Sequence, residues 1–308
     1  MYYFCLFPKP YLSFRETKGI ELNKFNEKIE PITHSKIIEF LKEDVGAGDI
    51  TTDAIIGQDI EAKAVIICHE DAIVSGLLEA IQIFNLLDCS ANSLINEGDS
   101  IKKESPILKI QGKAQSILKC ERTALNILGR MSGVATETSR IVEEAVKWNK
   151  DIIIASTRKT QPGFRIFDKK AVKSGGGDTH RYRLDDAVLI KDNHLKIIGS
   201  ISSAVRTAKK NVSFTKKIEV EVSTIEETIE AIEAGADIVL LDNMKPQDIS
   251  IIVRTLEKKQ LRKKIFLEAS GGINMKNIKK YSETGIDAIS LGVITHSAKN
   301  INFSLDII

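Results

Sequence analysis

Apolar and polar residues follow two different rhythms along this chain. In the first half the pattern is mixed. Residues 35–43 have helical spacing and predict a short helix, and a turn-rich stretch follows at 43–52. Alternating runs at 61–69 and 106–112 predict strands, the second entered hairpin-fashion across Glu97-Gly98-Asp99. A helix is predicted around 76–87. Between 115 and 148, Ile117, Leu118, Leu125, Leu128, Met131, Ile141, Val142 and Ala145 fall at helical spacing. That stretch exceeds an ordinary globular helix, so Gly129 and Gly133 are expected to break it in two.

The second half reads differently. Short apolar runs at 152–156, 187–190, 217–222, 237–241, 264–269 and 287–291 alternate with amphipathic stretches such as 225–234 and 275–283. Gly235 and Gly285 close two of these helices. Such alternation implies parallel strands joined by right-handed crossovers. Six units fit either a β/α barrel or an open doubly wound sheet. No G-x-G-x-x-G follows the first strand, so the dinucleotide fingerprint is missing. The first 30 or so residues show no period and read as a variable lead-in.

A length of 308 residues suits two medium domains, or one barrel-sized domain with an addition. The 43% hydrophobic and 28% charged content is that of an ordinary globular protein and excludes disorder. A membrane span needs about 20 apolar residues in a row, and charges interrupt every candidate. The apolar run 1–7 has no basic flank and no small-residue cleavage site, so it is not read as a secretion signal. The four cysteines, Cys5, Cys68, Cys89 and Cys120, form no C-x-x-C pair and read as reduced thiols in a cytoplasmic protein. A net charge of +2 argues against bulk nucleic-acid binding. Yet residues 158–196 alone carry an excess of five positive charges, leaving −3 for the remainder. The balanced total conceals a concentrated pocket for small anions.

Chemistry in barrels and open α/β sheets sits at the carboxyl ends of the strands. There the six runs carry Arg158 and Lys159, then Lys191 with Asp192-Asn193-His194, Glu221, Asp242 with Asn243, Ser270-Gly271-Gly272, and Gly292. Each alone fits a solvated strand end; six together form a constellation. Ser270-Gly271-Gly272, read as leading into a helix, offers backbone N–H groups to a phosphate, and Gly292 lets the chain approach it. Glu221 and Asp242 are hard oxygen donors for ribose hydroxyls or for water around Mg²⁺; ion pairing with neighbouring lysines is the plain alternative. Ser174-Gly175-Gly176-Gly177-Asp178 reads as a flexible lead-in carrying His180 and Arg181 over the site. Lys169, Lys170 and Lys173 read as a basic helix face. From the residues alone, the site binds a sugar phosphate, a polyphosphate with metal, and another anion.

At these positions the chain resembles the quinolinate phosphoribosyltransferases. The resemblance is carried by Glu43-Asp44-Val45-Gly46-Ala47-Gly48-Asp49, Glu121-Arg122-Thr123-Ala124-Leu125-Asn126 and Thr157-Arg158-Lys159-Thr160-Gln161-Pro162-Gly163. It continues through Gly175-Gly176-Gly177 with His180-Arg181, Leu189-Ile190-Lys191-Asp192-Asn193-His194, Glu219-Val220-Glu221-Val222, Leu241-Asp242-Asn243, Ser270-Gly271-Gly272-Ile273 and the run 290–297. It covers residue 35 to the end, in family order.

The resemblance implies an α/β fold, an N-terminal α/β sandwich domain plus an incomplete parallel β/α barrel. The expected division is a lead-in 1–34, the sandwich 35–135, the barrel 136–295, and a segment 296–308 returning to the first domain. It implies a pentosyl-transferring enzyme that joins quinolinate to phosphoribosyl pyrophosphate with Mg²⁺, giving nicotinate mononucleotide, pyrophosphate and CO₂ in de novo NAD synthesis. Arg158, Lys159, His180, Arg181 and Lys191 would hold quinolinate's carboxylates and part of the pyrophosphate. Arg122 would join them from the other subunit of a homodimer or higher homo-oligomer with shared active sites. Glu221 and Asp242 would hold the ribose and steady the Mg²⁺–pyrophosphate, and Ser270, Gly271 and Gly292 the 5′-phosphate. Lys159, Glu221 and Asp242 are the expected catalytic residues; no nucleic-acid or membrane partner is implied. A nicotinate-using relative or the molybdenum-locus homologue is the enzyme alternative, and a non-catalytic anion- or RNA-binding protein the other. The full cation set favours the dicarboxylate. Two residues depart from the family pattern: Ser156 stands where Asp or Gly is usual, and Thr179 where Asn is frequent. The lead-in is also longer than the family's.

Overall fold

Helix α1 (Pro31–Val45) opens the part of the chain that the structure, a computed structural model, describes, residues 30–308. The apolar run 1–7, Cys5 and the lead-in through residue 29 lie outside the described residues. Pro31 occupies the start of the helix, where its missing N–H would have no partner anyway. The helix therefore begins earlier than its apolar spacing predicts. In the turn-rich stretch, Asp49 caps a short helix α2 (Ile50–Ile55) by accepting from the Thr52 N–H at 3.0 Å.

Strands β1 (Glu61–Cys68) and β2 (Ala72–Ile73), helix α3 (Leu77–Asn85), and strands β3 (Ser90–Ser93), β4 (Ser100–Ile101) and β5 (Ser105–Lys113) follow. β5 pairs antiparallel with both β1 and β3, while β4 leaves the expected hairpin to pair with β2. The β1–β5 register slips between Ile66 and Ile67, opposite Pro106, whose ring nitrogen cannot donate to the ladder.

Helix α4 (Ala114–Val146) then runs for 33 residues without a break, about 50 Å at 1.5 Å per residue. The expected interruption at Gly129 and Gly133 does not occur. These glycines lie one turn apart on the face crossed by the C-terminal segment. A Cβ on Gly133 would collide with the Lys299 carbonyl, and one on Gly129 would stand 2.9 Å from the Ile301 carbonyl. The Ile301 N–H donates to the Gly129 carbonyl at 3.0 Å. The glycines cost helix propensity but admit this close crossing. Gly133→Ala is therefore expected to destabilise the protein by roughly 1–3 kcal/mol despite alanine's better helix propensity, as a urea-unfolding comparison would read.

The second half comprises β6 (Ile153–Ser156), α5 (Arg165–Ser174), β7 (Val188–Ile190), α6 (Asp192–Ile198), α7 (Ile201–Asn211), β8 (Ile218–Val222), α8 (Ile225–Ala234), β9 (Ile238–Asp242), α9 (Pro246–Lys258), β10 (Phe266–Ser270), α10 (Ile278–Ser282), β11 (Ala288–Leu291), α11 (Val293–His296) and β12 (Phe303–Ile307). Every apolar run of the second rhythm becomes a strand. The six strands β6 to β11 form one parallel sheet in the order β6-β11-β10-β9-β8-β7. Consecutive strands β6 and β7 are thus the two edges, so the seam of this incomplete barrel lies between them. Residues 175–187 run along the seam: Asp178 bridges Ala155, and its N–H and carbonyl bond to Ile154 and Ser156 at 2.7 and 2.9 Å. Strand β12 returns to β1, completing an antiparallel sheet in the order β12-β1-β5-β3. Helix α4 packs against both sheets and ties the two layers into one core.

Candidate active site

Parallel register brings the six strand ends to one rim. Ser270 on β10 stands level with Asp242 on β9 and Ser290 on β11, and Leu291 level with Ser156 on β6. Arg158 and Lys159 follow β6, Lys191 follows β7, Glu221 lies in β8, and Gly292 follows β11. Among the described residues the Arg158 and Lys159 side chains form no hydrogen bond or ion pair, and Arg158 Nε is buried without a partner. Lys159 runs so close over Gly292 that a Cβ there would stand 2.9 Å from its Cδ. Lys191 Nζ pairs with Glu221 Oε2 at 2.9 Å, and the Lys191 N–H donates to His194 Nδ1 at 2.9 Å. Asp242 accepts from the Asn243 side-chain amide at 2.7 Å. Arg122 is the exception: it is exposed on α4, and no hydrogen bond or ion pair joins it to the rim.

The glycines of the rim do not lead into a helix. Helix α10 starts only at Ile278, so no helix dipole backs Ser270-Gly271-Gly272. Gly271 and Gly272 instead take successive positive φ values of +97° and +65°, a path that residues with a Cβ rarely follow. A Cβ at Gly271 would strike the Asn243 side-chain oxygen.

Nor is the triple glycine a flexible lead-in. A Cβ on Gly175 would collide with the Ala135 carbonyl, and one on Gly177 would stand 2.7 Å from Thr138 Cγ2. These residues are a tight crossing against α4 that fixes where the seam segment begins. His180 follows with φ of 51°, its N–H donating to Asp178 Oδ1 at 2.6 Å.

The three lysines expected on a basic helix face all lie on α5, at different depths. Only Lys173 is exposed. Lys170 pairs with the buried Glu79 at 2.8 Å. Lys169 is fully buried beneath the rim and donates to Ser156 Oγ at 2.9 Å and to the Thr179 carbonyl. Ser156 Oγ also donates to Thr179 O at 2.9 Å, so the two residues that depart from the family pattern meet at this one lysine. Burial, then the nearby Arg165 charge, pushes Lys169 down to about 8.

Two buried carboxylates escaped the sequence reading. Glu219 on β8 and Glu268 on β10 point inward below the rim, and His180 Nε2 lies 3.6 and 3.3 Å from them. Strand parity carries the missed signal: Glu219 shares its face with Glu221, and Glu268 with Ser270. This trio is also compact enough to hold a metal ion. Arg181, whose charge reaches Glu219, makes the surroundings cationic, and that favours an ion-paired imidazolium over a bound cation. Burial works against every charge here, lowering Arg181 and raising Glu219. For His180 the hydrogen bonds and charges of the two glutamates overcome burial and raise it to about 10. Glu221 and Asp242, on neighbouring strands, form the hard-oxygen set suited to Mg²⁺ that shares its shell with phosphate oxygens.

Comparison with known proteins identifies the family. The chain matches the quinolinate phosphoribosyl transferase N-terminal domain over residues 49–132 and the C-terminal domain over 134–306. It is 47% identical over 270 residues to the probable nicotinate-nucleotide pyrophosphorylase (carboxylating) of Methanocaldococcus jannaschii, covering 87% of this chain and 94% of the relative. It is 45% identical over 271 residues to the protein of the same name from Methanothermobacter thermautotrophicus, covering 88% and 97%. The solved nicotinate-nucleotide pyrophosphorylase of Francisella tularensis superposes with a TM-score of 0.84 at 38% identity, covering 91% of this chain and 98% of that one.

Proposed function

The chain belongs to the quinolinate phosphoribosyltransferase family, and from that membership we propose which of its residues carry the reaction. The enzyme transfers the phosphoribosyl group of phosphoribosyl pyrophosphate to quinolinate with decarboxylation, giving nicotinate mononucleotide, pyrophosphate and CO₂ in de novo NAD synthesis. The observation that carries the assignment of roles is the rim itself: Arg158 and Lys159, whose side chains have no partner among the described residues, share one sheet end with the carboxylates Glu221 and Asp242.

Arg158, His180 and Arg181 bind quinolinate's two carboxylates, with the arginines offering forked donors. Lys159 and Lys191 face the pyrophosphate, and Lys191 exchanges its pairing with Glu221 for that contact. Glu221 and Asp242 take the ribose hydroxyls and stabilise positive charge developing at the anomeric carbon as its bond to pyrophosphate breaks. Ser270, Gly271 and Gly292 bind the 5′-phosphate through loop N–H groups. Glu221 and Asp242 would also steady the Mg²⁺–pyrophosphate, and the ion when bound would supply charge neutralisation at the leaving group. The positive pyridinium nitrogen formed by transfer stabilises the electron pair left on the neighbouring ring carbon as its carboxylate departs as CO₂, and a proton from solvent water then takes the carboxylate's place on that carbon. Pinning both substrates supplies the rest of the acceleration.

Arg122 serves the site of a second subunit in a homodimer; its exposure on α4, with no hydrogen bond or ion pair to its own rim, supports that role. Among the described residues no helix is long and apolar enough to cross a membrane. Cys68, Cys89 and Cys120 are free and buried, in keeping with a cytoplasmic location. Incubating the purified protein with phosphoribosyl pyrophosphate, Mg²⁺ and either quinolinate or nicotinate tests the reading. CO₂ and nicotinate mononucleotide should form from quinolinate alone; turnover of nicotinate instead would sink the carboxylating assignment.

A further inference from the structure

We propose that Arg130 and Thr295 are positioning residues that hold the Lys159 loop in its productive place, so that a helix of the first layer sets a lysine of the barrel rim. The inference rests on Lys159 contacting the pyrophosphate.

Arg130, on α4, is only 14% exposed in its side chain and meets the fully buried Asp168 of α5 through two bonds, Nε to Oδ1 at 2.9 Å and Nη2 to Oδ2 at 3.1 Å. The same Nη2 donates to the Thr295 carbonyl. Thr295, itself buried in α11, turns its hydroxyl to the Lys159 carbonyl at 2.8 Å, within reach also of the Gly292 carbonyl at 3.1 Å. The Lys159 N–H donates to Thr157 Oγ1 at 3.1 Å, and Arg165 Nε donates to Thr160 Oγ1 at 3.1 Å. The loop is thus tied on both sides of Lys159, while the lysine's own ammonium is unpaired among the described residues and its stem lies over Gly292.

Two features argue for more than a structural tie. First, bidentate pairing with Asp168 already fixes Arg130 between α4 and α5, so the third bond adds no new link between those helices. It orients α11 instead. Second, a threonine hydroxyl inside a short helix usually bonds back along that helix. Here its shorter bond leaves the helix for the carbonyl of Lys159, the rim lysine whose charge has no partner among the described residues. Tying the backbone reduces the entropy that Lys159 would lose on meeting substrate, and a loop loosened by an ångström forfeits catalysis steeply.

Thr295→Val removes the hydroxyl and keeps the shape. It is expected to lower kcat/KM for phosphoribosyl pyrophosphate by about 10-fold to 100-fold while moving the KM for quinolinate by no more than about twofold. Thr295→Ser should restore most of the loss. Arg130→Lys keeps a cation on Asp168 but loses the fork, and is expected to shift the same parameter less. In a Lys159→Ala background, Thr295→Val should cost nothing further, because it acts only through Lys159. Additive losses, equal effects on both substrates without rescue by serine, or a Thr295→Val enzyme as active as the parent would each overturn the inference. Should Thr295→Val fail to fold, as thermal unfolding would show, Arg130→Lys carries the same substrate-selective test. If Lys159→Ala is itself fully active, the reading of Lys159 falls and the inference falls with it.

Discussion

Lys159→Ala and Arg122→Ala are each expected to lose about 10²–10³-fold in kcat/KM, the scale on which single preorganised donors to a developing charge matter. The two act from different layers. Lys159 stands at the barrel rim beside Gly292, and Arg122 is exposed on α4 with no bond to that rim. If each site takes its lysine from one subunit and its arginine from the other, a mixed dimer holds one doubly crippled site and one intact site. Random exchange of equal amounts makes half the dimers mixed, so activity should return to about a quarter of the unsubstituted level. The measurement is the steady-state rate after mild dissociation and remixing, with exchange verified by native mass spectrometry. No recovery despite proven exchange would mean that Arg122 does not complete a partner's site. Recovery to the unsubstituted level would be as damaging, since it cannot come from shared sites of this kind.

The barrel was legible in the sequence because its strands are buried on both faces and read as continuous apolar runs. Polar residues at their ends were legible for the same reason: each follows directly on a run. What the pattern could not reveal is contact between distant segments. Gly129 and Gly133 look like helix breakers until residues 299–301 are laid against them. The triple glycine looks flexible until α4 is behind it. Lys169 looks solvated because a lysine on a helix usually is, and only the Ser156 hydroxyl and Thr179 carbonyl above it explain its burial. Glu219 was visible as a letter two positions before Glu221, but its role depends on Glu268 from β10 and on a histidine carried down the barrel seam. Local propensity reads elements, and the site is made where elements meet.

Glu268→Gln is expected to make quinolinate binding fail selectively at alkaline pH. Burial alone would lower His180, but its hydrogen bonds to Glu219 and Glu268 and their charges raise it from 6.5 to about 10. A raised cationic group contributes stability that is fully present below its unfolded value of 6.5 and is lost as pH rises through about 10. The unsubstituted protein therefore keeps His180 charged across the neutral range, and the proposed quinolinate contact is then made by an imidazolium. Glutamine retains the volume of Glu268 but not its charge, and His180 should then titrate closer to its ordinary value. Near pH 6 the variant should bind quinolinate almost as the parent does, whereas its KM should rise by about tenfold at a pH of about 8.5, roughly one unit of lost preference for the charged form. His180→Gln, with no charge to lose, should show a raised KM at both pH values. Measured KM profiles, with the His180 ring signal followed by NMR, separate the outcomes. A Glu268→Gln ratio that stays flat with pH would show that the buried carboxylates do not set the charge that quinolinate meets.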